Sequence, residues 1–198
     1  MHKLITLLFI LTTHSLLAQN ALDWQTFNET RLKKQKKAMI ILGSWSVANM
    51  ASGAILQSTT DGEEKYFHQM NLIWNTVNFA LAGSSLLMTR NKDVSNMNAA
   101  ASIKAQHDLQ KILLVNAGID FGYIMLGAWY VERGKNASDT KTMNRQKGYG
   151  KSIILQGSFL LLFDAITAAA LSRDNKKIPG LLGGLTFTGN GIAFQKTF

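Results

Sequence analysis

The chain of 198 residues contains no cysteine and a single proline, Pro179. Without cysteine there are no disulfides, no thiolate nucleophiles and no cysteine–zinc sites, and the redox environment cannot be inferred. Because Pro179 follows the charged segment "SRDNKK", it predicts where the helical region closes. The sequence therefore offers long stretches with no local signal that would break a helix.

Charge is the second feature that the sequence lacks over long stretches. Residues 38–60 and 66–89 contain no Asp, Glu, Lys or Arg, and residues 112–131 and 152–172 contain one charged residue each. Windows of about 20 apolar residues match a hydrocarbon core of about 30 Å. A soluble four-helix bundle is the alternative, but its helices would carry a charge on every wet turn. The sequence predicts an all-α protein, a membrane-spanning four-helix bundle with spans over 38–56, 67–88, 111–131 and 151–171.

The N-terminus has the pattern of an export signal. Lys3 precedes an apolar run over 4–11, and the small residue Ala18 stands before a possible cleavage point. Leu16 is larger than the residue usually found two positions before the last signal residue, so an uncleaved anchor is the alternative. The predicted organisation is a signal peptide (1–18), a basic juxtamembrane helix (19–37), a four-span domain (38–171) and a Gly-rich tail (172–198).

The tail alternates apolar and polar residues on both sides of "GNG", which predicts a short β-hairpin. Its arms would be residues 185–188 and 192–198. Each arm is too short to cross a bilayer, so the tail adds no fifth span.

The net charge of +9 is carried by segments that flank the apolar windows. No nucleic-acid motif accompanies these basic residues. We therefore expect the partners to be the lipid bilayer and, in addition, a second copy or another membrane protein, with no nucleic acid. The predicted location is a bacterial inner membrane, with a multi-pass topology. The signal peptide and the positive-inside rule predict opposite orientations.

Each predicted span carries one stripe of polar or small residues. In the second span Asn71, Asn75 and Asn78 have the spacing i, i+4, i+7, which places them on one helix face. Helices in lipid associate through close packing of small residues and through interhelical hydrogen bonds, and Gly118 with Gly122 forms a GxxxG step. We predict an intramembrane polar cluster formed by Asn49, Asn71, Asn75, Asn78, Asn116, Asp120, Gln156 and Asp164.

Asp120 and Asp164 have a second interpretation. A carboxylate at the centre of a span costs about 2.5–3.5 kcal/mol on insertion scales, and no Lys or Arg lies mid-span to pair with either residue. The two carboxyl groups are either satisfied structurally or bind a proton or cation. His68 is a weak metal candidate, because a lone histidine supplies too few ligands. The prediction is therefore no metal site, no cofactor and no catalytic residue.

The segments "YFHQMNLIWNTVNFALAG" and "LQGSFLLLFD" resemble an uncharacterised family of small four-helix membrane proteins from Bacteroidota. The resemblance implies four spans and a cell-envelope setting, and it implies no activity. The leading hypothesis is a non-enzymatic structural or accessory envelope protein. One alternative is a small proton or cation transporter or channel-like module that uses Asp120 and Asp164. A weaker alternative is a membrane enzyme that acts on lipid through His68 and an aspartate.

Overall fold

A computed structural model describes the backbone of residues 2–181, 185–188 and 191–194, and the side chains of residues 24–178 and 180. Four long helices account for most of the described chain: α1 (His2–Thr59), α2 (Gly62–Arg90), α3 (Ala99–Lys135) and α4 (Thr140–Ser172). A 3₁₀ helix (Arg173–Lys177) and the short α5 (Ile178–Leu181) follow.

Two strands, β1 (Leu185–Thr188) and β2 (Gly191–Phe194), pair in antiparallel register with Leu185 opposite Phe194. Residues 189–190, which include most of the expected turn, lie outside the described residues. The hairpin therefore stays a prediction. Cleavage of the signal peptide likewise stays a prediction. The side chains of residues 1–23 lie outside the described residues.

The helix boundaries follow from capping residues in the connections. Asn98 precedes α3 and its side chain accepts a hydrogen bond from the backbone N–H of Ala101, at 2.9 Å. Asp139 caps α4 in the same way through the N–H of Thr142, at 2.8 Å. Such caps satisfy N–H groups that have no partner within the helix.

The four helices run alternately in opposite directions. α2 packs against both α1 and α4, and α4 packs against α3, so the order across the bundle is α1, α2, α4, α3. We call the end formed by residues 24–37, 90–111 and 171–178 the basic end, because it holds more Lys and Arg than Asp and Glu. The other end is formed by residues 56–66 and 132–148.

Buried positions recur with a seven-residue period. On α3 they are Gln106, Leu113, Asp120, Gly127 and Gly134, and on α2 Asn71, Asn75, Asn78, Ala82 and Thr89 are spaced alternately by four and three, apart from the last step. A seam of this period keeps straight contact only if the helices supercoil left-handedly. The bundle thus has coiled-coil-like packing with many polar or glycine positions in its seams.

Glycines allow the closest helix contacts, although not the pair expected from sequence. A Cβ at Gly127 would lie 2.6 Å from the carbonyl oxygen of Gly150, and Gly150 is equally close to Gly127. Around Gly118 and Gly122, by contrast, nothing lies within 4 Å of an added Cβ. The predicted role of the GxxxG step in close packing is therefore wrong, because that step lies on the face of α3 turned away from α4.

The described part of the bundle buries many polar side chains beside small apolar clusters, and it exposes many large apolar side chains. Buried positions include Asn75 and Gln156, both 0% exposed, whereas Ile55 and Val77 are 63% and 60% exposed. Three helices are long and apolar enough to cross a membrane by length and composition: Trp24–Thr59, Ala99–Lys135 and Thr140–Lys177. The membrane character of the chain is thus supported for three helices, and α2 is not among them.

Candidate intramembrane polar site

One interior cluster joins three helices through a single glutamine. The amide cluster, as we call it, consists of Trp45 and Asn49 on α1, Asn71 on α2, and Ser152 and Gln156 on α4. The Nε2 of Gln156 donates to the Oδ1 of Asn71 (3.0 Å) and of Asn49 (3.2 Å). The Nε1 of Trp45 donates to the Oε1 of Gln156 at 2.9 Å. Gln156 therefore uses both ends of its amide to connect α1, α2 and α4.

Neighbouring contacts fix the geometry of the amide cluster. The hydroxyl of Ser152, one turn before Gln156, donates to the Oδ1 of Asn71 at 2.6 Å. The ring of Trp45 stacks on Phe159 with centroids 4.0 Å apart and planes 4° apart. The Nδ2 of Asn49 donates to the carbonyl of Trp45 within α1. The bond from Ser152 to Asn71 is an interhelical hydrogen bond of the kind that holds membrane helices together.

The other two asparagines of α2 make fewer contacts. The Nδ2 of Asn75 donates to the carbonyl of Asn71 in its own helix, and its Oδ1 has no partner among the described residues. The Nδ2 of Asn78 likewise has none within the described chain. Both side chains are buried, as expected, but only Asn71 of the three asparagines forms a recorded bridge to another helix.

A second interior site, the carboxyl pair, lies between α3 and α4. Asp120 and Asp164 are 4% and 5% exposed, and their carboxyl groups lie close to each other. A carboxylate has no donor hydrogen, so a hydrogen bond between the two groups requires a proton on one of them. No donor reaches the Oδ2 of Asp120 within the described residues. The pair is therefore incompletely satisfied by protein groups.

The close approach of α3 and α4 brings the two carboxyl groups together. A Cβ at Gly157 would lie 3.0 Å from the carbonyl oxygen of Asp120, so the lack of a side chain permits this spacing. Three surface grooves occur near the bundle ends, and none of them is lined by Asp120 or Asp164.

Two residues named from the sequence lie elsewhere. Asn116 is exposed on α3, so its assignment to the interior cluster is wrong. The seven-residue seam passes through Leu113 and Asp120 instead, which turns Asn116 outward.

His68 lies near the end of the bundle opposite to the basic end. It is half-buried, with its ring 5.2 Å from Phe67, and its Nδ1 has no partner among the described residues. Gly148 packs on Phe67, and Asp164 follows sixteen residues further along α4, roughly 24 Å at helical rise. His68 and Asp164 are therefore not brought together. Within residues 24–178, no group of three His, Cys, Asp or Glu side chains that could hold a metal ion occurs.

A third polar region, the basic-end cluster, was not predicted from the sequence. Its members are Asn28, Arg31, Lys34, Ser102, Gln106 and Asp174. The side chains of Asn28 and Arg31 donate to the hydroxyl and the carbonyl of Ser102, at 2.8 and 3.0 Å. Lys34 forms an ion pair with the buried Asp174 at 2.6 Å. The seven-residue spacing back from Asp120 to Leu113 and Gln106 is a signal that could have found part of this cluster.

Comparison with curated proteins and with solved structures returns no match. A sequence family does match, over residues 41–165, and its description is "Family of unknown function (DUF6992)". The matched range contains all members of the amide cluster and both residues of the carboxyl pair. Since the match covers more than half of the chain, the protein belongs to this family of unknown function, DUF6992.

Proposed function

We propose that this protein is a four-span integral membrane protein with a structural or accessory role in a bacterial cell envelope, and that it is not an enzyme. The observation that carries the proposal is the burial of several side-chain amides together with the exposure of many large apolar residues. A soluble bundle with this surface would expose far more contiguous apolar area than monomeric soluble proteins tolerate. Lipid is the solvent that matches such a surface.

The span of the exposed apolar surface supports membrane crossing by α1, α2 and α3, and α4 is among the described helices long and apolar enough to cross. Exposed large apolar residues extend over 40–55 on α1, 73–88 on α2 and 112–129 on α3. At the helical rise these segments are about 24–27 Å long, close to the thickness of a hydrocarbon core. α2 shares this belt, and the three asparagines that lower its mean hydropathy are buried against the other helices.

The inner membrane and a Bacteroidota source belong to the same proposal. They rest on the signal-like N-terminus and on the resemblance of residues 66–83 to membrane proteins of that group. The partners we propose are the bilayer and either a second copy or another membrane protein. No cofactor is needed for a structural role.

The absence of cysteine makes the topology directly testable. Single exposed cysteines at Asp61→Cys, Asn91→Cys and Ser138→Cys would be labelled in intact spheroplasts with a membrane-impermeant maleimide, and again after permeabilisation. With four spans, positions 61 and 138 share one side and position 91 lies on the other. The wild-type chain is the control, because it has no thiol to label.

Two outcomes would contradict the proposal at different levels. Labelling of 61 and 91 from the same side would show that α2 does not cross the membrane. Release of the protein from membranes by alkaline carbonate would show that no helix is integrated.

The carboxyl pair favours a second candidate function, a small module that moves protons or monovalent cations. Buried carboxyl groups inside a membrane are expensive and commonly line ion pathways. The Oδ2 of Asp120 has no hydrogen-bond partner within the described residues. The windows 112–131 and 152–172 around the two acids contain no Lys or Arg. These features suit reversible binding of a small cation, whereas the well-satisfied amide cluster suits permanent helix contact.

Reconstitution into liposomes with an entrapped pH dye tests this candidate. Transport through the pair predicts proton flux in the wild type and its loss in the double variant Asp120→Asn and Asp164→Asn. The matched control is Asn116→Ala, which changes an exposed polar residue of α3. Equal flux in the double variant and the wild type, or no flux in either, would reject the transport function and leave the structural one.

A further inference from the structure

At the rim of the bundle, two adjoining grooves follow the last turns of α2. Lys36, Gly83, Leu86, Leu87 and Arg90 line the first groove. The second lies beside it and is lined by residues that include Gln35, Ser85 and Lys92. We propose that these grooves form a binding site for one anionic phospholipid, with the phosphate at the three basic side chains and an acyl chain along the apolar wall.

The charges of this site are not neutralised within the described protein. No ion pair is recorded for Lys36, Arg90 or Lys92 in the described chain, and Lys36 makes only a long contact of 3.4 Å to the carbonyl of Arg90. The nearest acid in sequence is Asp93, whose Oδ1 instead accepts from the N–H and hydroxyl of Ser95, at 2.9 and 2.7 Å. The three cations that line the grooves are therefore without an acidic partner in the described chain.

Elsewhere at the basic end, several lysines do have acidic partners. Lys34 and Lys177 share the carboxylate of Asp174, and Lys104 pairs with Asp108 at 2.5 Å. Lys36, Arg90 and Lys92, which line the grooves, have no such acidic partner among the described residues.

The apolar part of the site is open to the surroundings, as contact with an acyl chain requires. An added Cβ at Gly83 meets nothing within 4 Å, so the wall is indented at this position. Leu87 and Met88 are 72% and 80% exposed. In a bilayer the cations stand at headgroup level and the indentation lies about one to two turns deeper. Free phosphate would use the cations alone, whereas a phospholipid uses both parts.

The inference rests on the proposed membrane location. The test uses the purified full-length chain in vesicles of equal parts phosphatidylglycerol and phosphatidylcholine. After extraction in mild detergent, the lipids that remain bound are counted by mass spectrometry. We expect retained phosphatidylglycerol to exceed phosphatidylcholine, with roughly one tightly held anionic lipid for each protein.

Two variants separate the site from general attraction. The triple variant Lys36→Gln, Arg90→Gln and Lys92→Gln should reduce retained phosphatidylglycerol at least about fivefold. Gly83→Leu should also reduce it, since it fills the indentation and keeps every charge. The control is Lys111→Gln, Arg173→Gln and Lys176→Gln, which removes the same three charges from exposed positions at the same end of the bundle.

Each outcome decides the question. The inference is supported if both site variants lose the lipid while the control keeps it. It is overturned by equal losses in the site and control triples, by normal retention in Gly83→Leu, or by displacement of the lipid by excess inorganic phosphate. Failure of the wild type to integrate into vesicles would reject the proposed function, whereas integration without lipid preference would reject the site alone.

Discussion

The amide cluster and the carboxyl pair lie on the same helix, α4, and differ in how well protein groups satisfy them. In the first, Gln156 has partners for both ends of its amide on α1 and α2. In the second, Asp164 lies beside another acid, and the Oδ2 of Asp120 has no donor within the described chain. A satisfied polar group holds helices together, whereas an unsatisfied one retains the capacity to bind something else.

The amide cluster supports the structural hypothesis, and the carboxyl pair supports the transport hypothesis. Hydrogen bonds between neutral amides are stable without any change of charge. A carboxyl pair that shares a proton changes its charge when the proton leaves, so its contact depends on the surroundings. The same bundle can thus contain a permanent contact and a responsive one about two turns apart along α4.

The largest expected effect tests the packing on which the carboxyl pair depends. Gly127→Ala should destabilise the bundle by about 3 kcal/mol, because the added Cβ would lie 2.6 Å from the backbone oxygen of Gly150. Thermal unfolding in detergent measures this loss. Gly118→Ala is the matched control on the same helix, where the Cβ meets nothing within 4 Å. Equal stability of the two variants would show that α3 and α4 do not meet at Gly127.

Removal of the central amide should have the next largest effect. Gln156→Leu should lower the free energy of unfolding by about 2 kcal/mol, since three interhelical hydrogen bonds are lost. Each such bond contributes about 0.6 kcal/mol on average and about 1.7 kcal/mol at most. The measurement is chemical unfolding in mixed detergent micelles. Asn116→Leu, which alters an exposed amide, should leave stability unchanged or raise it. A neutral Gln156→Leu would mean that the amide cluster contributes no net stability.

The stability of the bundle should be less sensitive to a comparable change in the carboxyl pair. Asp120→Asn should change the free energy of unfolding at neutral pH by less than about 1 kcal/mol. The side-chain amide of Asn has its own N–H donor, so it can contact Asp164 without a shared proton. The same detergent assay applies, with Asp164→Asn as the reciprocal variant. A loss as large as that of Gln156→Leu would remove the distinction between the two sites and make both of them structural.

Sequence spacing predicted the interior positions best where a stripe was unambiguous. Asn71, Asn75 and Asn78 fit only one helix face, and all three are buried. On α3, Asn116 and Leu113 are both compatible with a stripe through Asp120, at four and seven residues. The position of α4 decides between them, and a single helix sequence does not contain that information.

Mean hydropathy was less informative than the separation of the two helix faces. It excludes α2 from the helices apolar enough to span a membrane, although α2 exposes Ile73, Val77 and Leu81. The average counts buried asparagines as if lipid met them. Similarly, GxxxG spacing selected Gly118 and Gly122, while the close contact is made by Gly127 with a single glycine on the neighbouring helix. Pairwise geometry of this kind cannot be read from one helix.

The smallest expected effect comes from a cap outside the interior sites. Hydrogen bonds from the backbone and side chain of Thr142 lower the pKa of Asp139, which caps α4. A lowered folded pKa gives stability that is present above the usual Asp value of about 3.9 and is lost as the pH falls through the folded value. Asp139→Asn should therefore remove a slight loss of thermal stability below about pH 4, because an uncharged amide still caps the helix. Asp61→Asn, in the other connection at this end of the bundle, is the control, since the Asp61 side chain makes no cap hydrogen bond. An unchanged pH profile in Asp139→Asn would show that α4 does not depend on this charge, and the interior contacts would then account for the position of that helix.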